Sequence, residues 1–162
     1  MTKKLTIAVL MGGRSSEHDV SLKSGEAVLK HLDKEKYNPI SIVLGKDETH
    51  VWEKIKMPSP DVVFIALHGK WGEDGTVQGL LELAGISYTG SGVLASALAM
   101  DKIRSMDLYQ FHGLSVPEYI SFDVSEFNTK SDDIAKAVEK SLGLPCVVKP
   151  SDGGSSVGVS MV

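Results

Sequence analysis

Blocks of apolar residues separated by short polar or glycine-bearing stretches run through the chain, and their lengths predict the elements. Residues 5–11 are an apolar run with the pattern of a strand covered on both faces. After the turn at 12–16, the spacing predicts a helix over 17–32, with Val20, Ala27 and Val28 on one side and Ser15 or Ser16 as N-cap. Residues 37–44 read as a second strand. The mixed stretch 45–60 holds at most a short strand near 50–52. Residues 61–67 read as a third buried strand, 76–84 as a helix, 86–89 as a short strand and 91–100 as a helix. Strands alternating with helices predict an α/β fold on a parallel sheet, with right-handed crossovers as the default.

Beyond residue 100 the pattern changes. Residues 101–111 are amphipathic and helical, 116–122 read as a strand, 128–133 as a polar loop, 134–142 as a helix and 146–149 as a strand. A glycine- and serine-rich loop then leads into the apolar stretch 157–162. A domain boundary falls near 97–101, dividing the chain into 1–98 and 99–162. The second part is too short to build a core of its own. No internal repeat is evident.

Composition narrows the class. The chain has 162 residues, 42% hydrophobic and 23% charged, as a globular protein has. A net charge of -4 gives no electrostatic support to a nucleic-acid partner. The single cysteine, Cys146, lies in an apolar run and reads as a small core residue in a reducing compartment. The N-terminal apolar run is too short for a signal peptide or a membrane span, so no membrane partner is expected.

Three loops carry candidate chemistry. In open α/β sheets, ligands bind beyond the carboxyl ends of the strands. Gly12-Gly13-Arg14-Ser15-Ser16-Glu17-His18 lies there, and the Glu17 carboxylate suits a substrate ammonium, although it would also simply complement a helix N-terminus. His68-Gly69-Lys70-Trp71-Gly72-Glu73-Asp74-Gly75 leaves the third strand and sets His68 opposite Glu17. Lys149-Pro150-Ser151-Asp152-Gly153-Gly154-Ser155-Ser156-Val157-Gly158 has the residues of a phosphate-binding loop, with Lys149 as a point charge, and equally those of a hairpin turn. Gly90-Ser91-Gly92-Val93-Leu94-Ala95 matches a dinucleotide-binding pattern, but no acidic residue follows at the spacing that motif needs, and close helix packing accounts for the glycines. No Walker A pattern occurs, and no Cys/His cluster suggests zinc.

Together these segments resemble the D-alanine–D-alanine ligases of the ATP-grasp superfamily over essentially the whole chain. The resemblance rests on the strings beginning at Gly12 and His68, on Met100-Asp101-Lys102, and on Val148-Lys149-Pro150 with Gly154-Ser155-Ser156-Val157-Gly158. It implies a Rossmann-like parallel-sheet N-terminal domain followed by an incomplete α+β ATP-grasp subdomain. It also implies that ATP phosphorylates the carboxylate of one D-alanine and that the amine of a second attacks the acyl phosphate, for peptidoglycan synthesis in the cytoplasm. By the same resemblance, Glu17 would hold the first substrate's ammonium, with Val20 and His68 beside that substrate. Ser155 would belong to a hydrogen-bond network that positions Glu17. Lys102, Lys149, Ser155 and Ser156 would bind ATP.

Members of that family run to roughly twice this length, and the magnesium ligands and second-substrate residues would lie beyond Val162. Magnesium would therefore be held outside this chain, dipeptide synthesis by these residues alone is not expected, and a homodimer is implied for the longer protein. Alternatives are a D-alanine–D-lactate ligase, another ATP-grasp carboxylate–amine ligase, a non-catalytic binding module, and an NAD-dependent dehydrogenase.

Overall fold

A computed structural model describes residues 3–57 and 59–162. They fall into two compact units, with the division of the chain between Met100 and Asp101. No helix among the described residues is long and apolar enough to cross a membrane.

The first unit is built on strands β1 (Leu5–Gly12), β2 (Tyr37–Leu44), β3 (Val62–Ile65) and β4 (Ser87–Tyr88). They form one parallel sheet in the order β2-β1-β3-β4. β1 is central, and its Ala8, Val9 and Leu10 are wholly buried. Its continuous apolar run exists because both faces are covered. On one face α1 (His18–His31) packs through Leu22, Val28 and Leu29 against Ile7, Val9, Met11 and Ala66. On the other, α2 (Val51–Lys56) and α3 (Thr76–Leu83) bring Ile55, Val77 and Leu81 onto Ala8, Leu10, Ile42 and Val63. α4 (Val93–Met100) closes the unit.

Several expectations are corrected. The short strand near 50–52 is instead the start of α2. Val51 and Ile55, one helical turn apart, both reach the core, and Ile55 is fully buried. Helix α1 buries Ser21 and Gly25, whereas Val20 and Ala27 face outward. Its N-cap is Glu17 rather than Ser15 or Ser16. Gly90 is not packed closely against a helix: it has a left-handed φ of 101° with open space where a Cβ would stand.

The second unit holds α5 (Lys102–Phe111), α6 (Val124–Ser141) and an antiparallel pair, β5 (Val147–Val148) and β6 (Ser160–Met161). The expected strand at 116–122 is absent; Pro117 lacks an amide to donate, and the segment pairs with no described strand. The expected loop at 128–133 is helical, part of α6, with non-helical dihedrals at Lys130. Asp123 starts this helix with a capping box closed by Glu126, and the polar run is simply its solvent face. Cys146 is half-buried rather than a core residue.

Gly25 sets the approach of α1 to the sheet. A Cβ there would stand 2.7 Å from the Cβ of Met11, a rigid point of β1. Gly25→Val gains under about 1 kcal/mol of helix propensity and loses about 1–3 kcal/mol to overpacking. A lowered urea midpoint is the expected outcome; an unchanged or raised midpoint would show that the helix can shift freely.

Candidate functional site

The sheet order places a topological switch between β1 and β3, where connections leave in opposite directions and ligands of open α/β sheets gather. Two serines tie the loops that leave this point. The buried Ser21 Oγ donates to the Ala66 carbonyl at 2.8 Å and accepts the Gly12 amide at 2.8 Å. Ser15 Oγ donates to the His68 carbonyl at 2.7 Å and accepts the Glu17 amide at 3.2 Å.

Glu17 is 5% exposed although it is charged and at a helix N-cap. Its side chain makes no capping bond to that helix. It lies instead against the second loop: a Cβ added at Gly69 would stand 2.6 Å from Glu17 Oε1, so only glycine allows the approach. The adjacent His68 is oriented from both ring nitrogens. Nε2 is 2.8 Å from Ser24 Oγ, and Nδ1 is 3.6 Å from Glu73 Oε1. Glu73 in turn accepts the Gly69 amide at 2.7 Å through Oε2. The expected pairing of the Glu17 and His68 loops is therefore present, on the side of the sheet that α1 covers. Val20 stands on α1 with 47% exposure.

Towards the other side of the sheet lies a crevice of about 510 Å³, lined by residues 12–15 of the first loop, by Leu67, His68, Lys70, Trp71 and Gly72, and by residues around the start of α2 and α3. The carboxyl of Glu48 on its wall is held below the usual carboxylate range by hydrogen bonds from Lys54 Nζ and the His50 amide. Asp74, in the second loop, accepts from the Trp71 amide at 2.9 Å and from the Thr76 amide at 3.0 Å. Burial alone would raise the Asp74 carboxyl, but these bonds outweigh it and the group titrates below its ordinary value.

In the second unit, Lys102 begins α5 behind Asp101, whose side chain caps the helix by accepting the amides of Ile103 and Arg104. The Lys102 amide donates to the Ser151 carbonyl at 2.9 Å, and its ammonium reaches the carbonyls of Ser151 and Gly153. Lys149 follows β5 and is exposed. Ser155 and Ser156 turn the chain between β5 and β6 with left-handed φ of 46° and 61°. The loop is thus a hairpin connection, with one of the two candidate lysines bound to its backbone and the other at its base.

Family models for the D-ala D-ala ligase N-terminus match residues 6–59 and 51–91, and one for the D-ala D-ala ligase C-terminus matches residues 108–162. The chain belongs to the D-alanine–D-alanine ligase family. It is 48% identical over 159 residues to the D-alanine--D-alanine ligase of Pelotomaculum thermopropionicum, covering 98% of this chain and 49% of that protein. Against the ATP-complexed D-alanine--D-alanine ligase from Bacillus anthracis the TM-score is 0.81 at 41% identity, covering 99% of this chain and 49% of that one. Against the VanG D-Ala:D-Ser ligase from Enterococcus faecalis it is 0.76 at 34% identity, covering 98% and 55%. The chain spans about half the length of the curated relatives it matches. In this member of the ligase family, no three His, Cys, Asp or Glu side chains among the described residues converge as a metal-binding group.

Sequence reasoning missed Ser21 and Ser24. Both carry small hydroxyls inside a helix, where serine is ordinary. Only their place along one side of the helix, Ser21 one turn beyond Glu17 and Ser24 one turn beyond Ser21, could have marked them.

Asp74 supplies a pH test of the second loop. Its contribution to stability is fully present above the unfolded-state value near 3.8 and fades as pH falls through the lower folded value. Between about pH 5 and about pH 2.5 the wild-type urea midpoint should fall further than that of Asp74→Asn. Parallel curves would mean that Asp74 does not hold the loop through its charge.

Proposed function

We propose that this chain supplies the first-substrate site and part of the ATP-phosphate site of an ATP-dependent, ADP-forming D-alanine–D-alanine ligase. The observation that carries the reading is the buried Glu17 carboxylate lying against Gly69 beside the doubly oriented His68. A buried carboxylate next to open loops suits an ammonium, and D-alanine has one. Glu17 would hold the amine of the first D-alanine, His68 would lie beside that substrate and its developing acyl phosphate, and Val20 would flank it. ATP transfers its terminal phosphoryl group to that carboxylate. The amine of a second D-alanine then attacks the acyl carbon, and phosphate leaves as the peptide bond forms.

In the second unit, Lys149 would neutralise ATP phosphate charge, with the amides of Ser155 and Ser156 closing over the transferred group and the Ser155 hydroxyl contributing to positioning. Lys102 would reach the nucleotide from the loop carbonyls that it now holds. The glycine-rich loop suits exclusion of water from an acyl phosphate. A magnesium ion, held outside these residues, would accompany ATP. Peptidoglycan precursor synthesis in the cytoplasm and a homodimeric full-length enzyme belong to the same proposal.

The test uses a full-length ligase whose N-terminal half is this chain, and reads D-alanine-dependent phosphate release. Glu17→Gln removes the charge partner of a buried ammonium, worth about 1.5–3 kcal/mol. It should raise half-saturation by D-alanine and lower turnover, together about ten- to a hundredfold in kcat/KM. Unchanged affinity and rate would remove Glu17 from the substrate site.

A further inference from the structure

The crevice of about 510 Å³ borders the candidate site at Ser15 and His68, but neither Glu17 nor Val20 lines it. Its apolar wall consists of Leu44, Leu67 and Val77, which belong to the core cluster beneath α2 and α3. The Glu17 and Val20 side chains proposed for the first substrate belong to α1 and its N-cap, the helix packs on the opposite face through a different cluster, and His68 Nε2 is turned to Ser24 of α1. The reading of Glu17 therefore leaves the apolar wall and the Trp71 rim of the crevice unused.

The rim of the crevice is built in a particular way. Trp71 has a φ of 72°, a left-handed backbone that is an outlier for a bulky side chain and costs on the order of 1–3 kcal/mol. The carboxylate of Asp74 fixes it there through the Trp71 amide, which leaves the indole 43% exposed at the crevice. The Arg14 guanidinium lies 5.4 Å from the centre of that ring. Among the described residues Arg14 joins no ion pair with a carboxylate. The acidic residue lining the crevice, Glu48, is already bound to Lys54 at 2.5 Å. Lys70 adds a second exposed cation. An oriented guanidinium and an exposed indole thus stand over an apolar wall, with the Glu48 carboxylate already engaged by Lys54.

We infer that this crevice is a second ligand site, which takes a small molecule with a flat aromatic body and a single negative charge. The body lies between the Leu44, Leu67 and Val77 wall and the Trp71 indole, and the anion meets Arg14. Strained backbone at ligand clamps and cationic groups stacked on aromatic rings are both features of binding sites. This inference goes beyond the proposed ligase reading and does not depend on it.

The test uses the 162-residue chain with Trp52→Phe, so that tryptophan emission reports Trp71 alone. Titration with 2-naphthoate should quench that emission saturably. The neutral isostere 2-naphthylmethanol should bind about tenfold more weakly, and Arg14→Gln should weaken 2-naphthoate by about the same factor while leaving the neutral compound unaffected. An excess of D-alanine should not displace the naphthoate. No saturable quenching, equal binding of acid and alcohol to the unsubstituted rim, or an unchanged affinity in Arg14→Gln would overturn the inference. Displacement by D-alanine would overturn it too, by making the crevice part of the amino-acid site. No ATP turnover enters any arm, so failure here and failure of the ligase reading are separately visible.

Discussion

The Ser21 hydroxyl, fully buried, joins the end of β1 to the segment that leaves β3 by donating to the Ala66 carbonyl and accepting the Gly12 amide, each at 2.8 Å. An apolar residue there would leave both backbone groups without this partner in a dry interior, at about 1–3 kcal/mol each. What lies beyond depends on that join. The Gly13 amide bonds to the Leu44 carbonyl at 2.9 Å, and Ser15 reaches across to the His68 carbonyl. Glu17 then meets Gly69, and His68 meets Ser24. The loops are held at the switch point by hydroxyls projecting from α1 and its approach.

This arrangement gives the sheet two differently equipped faces. Under α1 the polar groups converge, with Glu17 and His68 held in place through serines. Under α2 and α3 the wall is apolar, and the charges stand at its rim. A single backbone, His68–Gly75, serves both: Gly69 makes room for the Glu17 carboxylate, and two residues later Trp71 turns its indole to the crevice. In the second unit a similar economy is seen at Lys102, whose amide and ammonium both meet the loop between β5 and β6.

Much of the first unit was legible because its strands obey one dominant rule. β1 is apolar along its length since both faces are covered, and β2 follows from its own run between turns. The Glu17 and His68 loops were legible because residue types that carry chemistry stand where parallel strands end. Other features were hidden for identifiable reasons. Helix α2 has six residues and a core contact through Val51 and Ile55, too short a repeat to outweigh its polar surroundings. The polar run in α6 resembles a loop until the Asp123 and Glu126 box is noticed. The inward side of α1 is marked by Ser21 and Gly25, small residues that carry no apolar signal, whereas the more apolar Val20 and Ala27 face outward. The orientation of Trp71 depends on a bond to Asp74 that no composition rule anticipates.

Hydrogen–deuterium exchange of Ser21→Ala, compared residue by residue with the wild type, tests the central claim that one buried hydroxyl holds both loops. The account predicts that amides of the 12–17 and 66–75 segments lose protection together, while those pairing β1 with β2 further from the join keep theirs. Loosening of one segment alone, or unchanged protection in both, would contradict it.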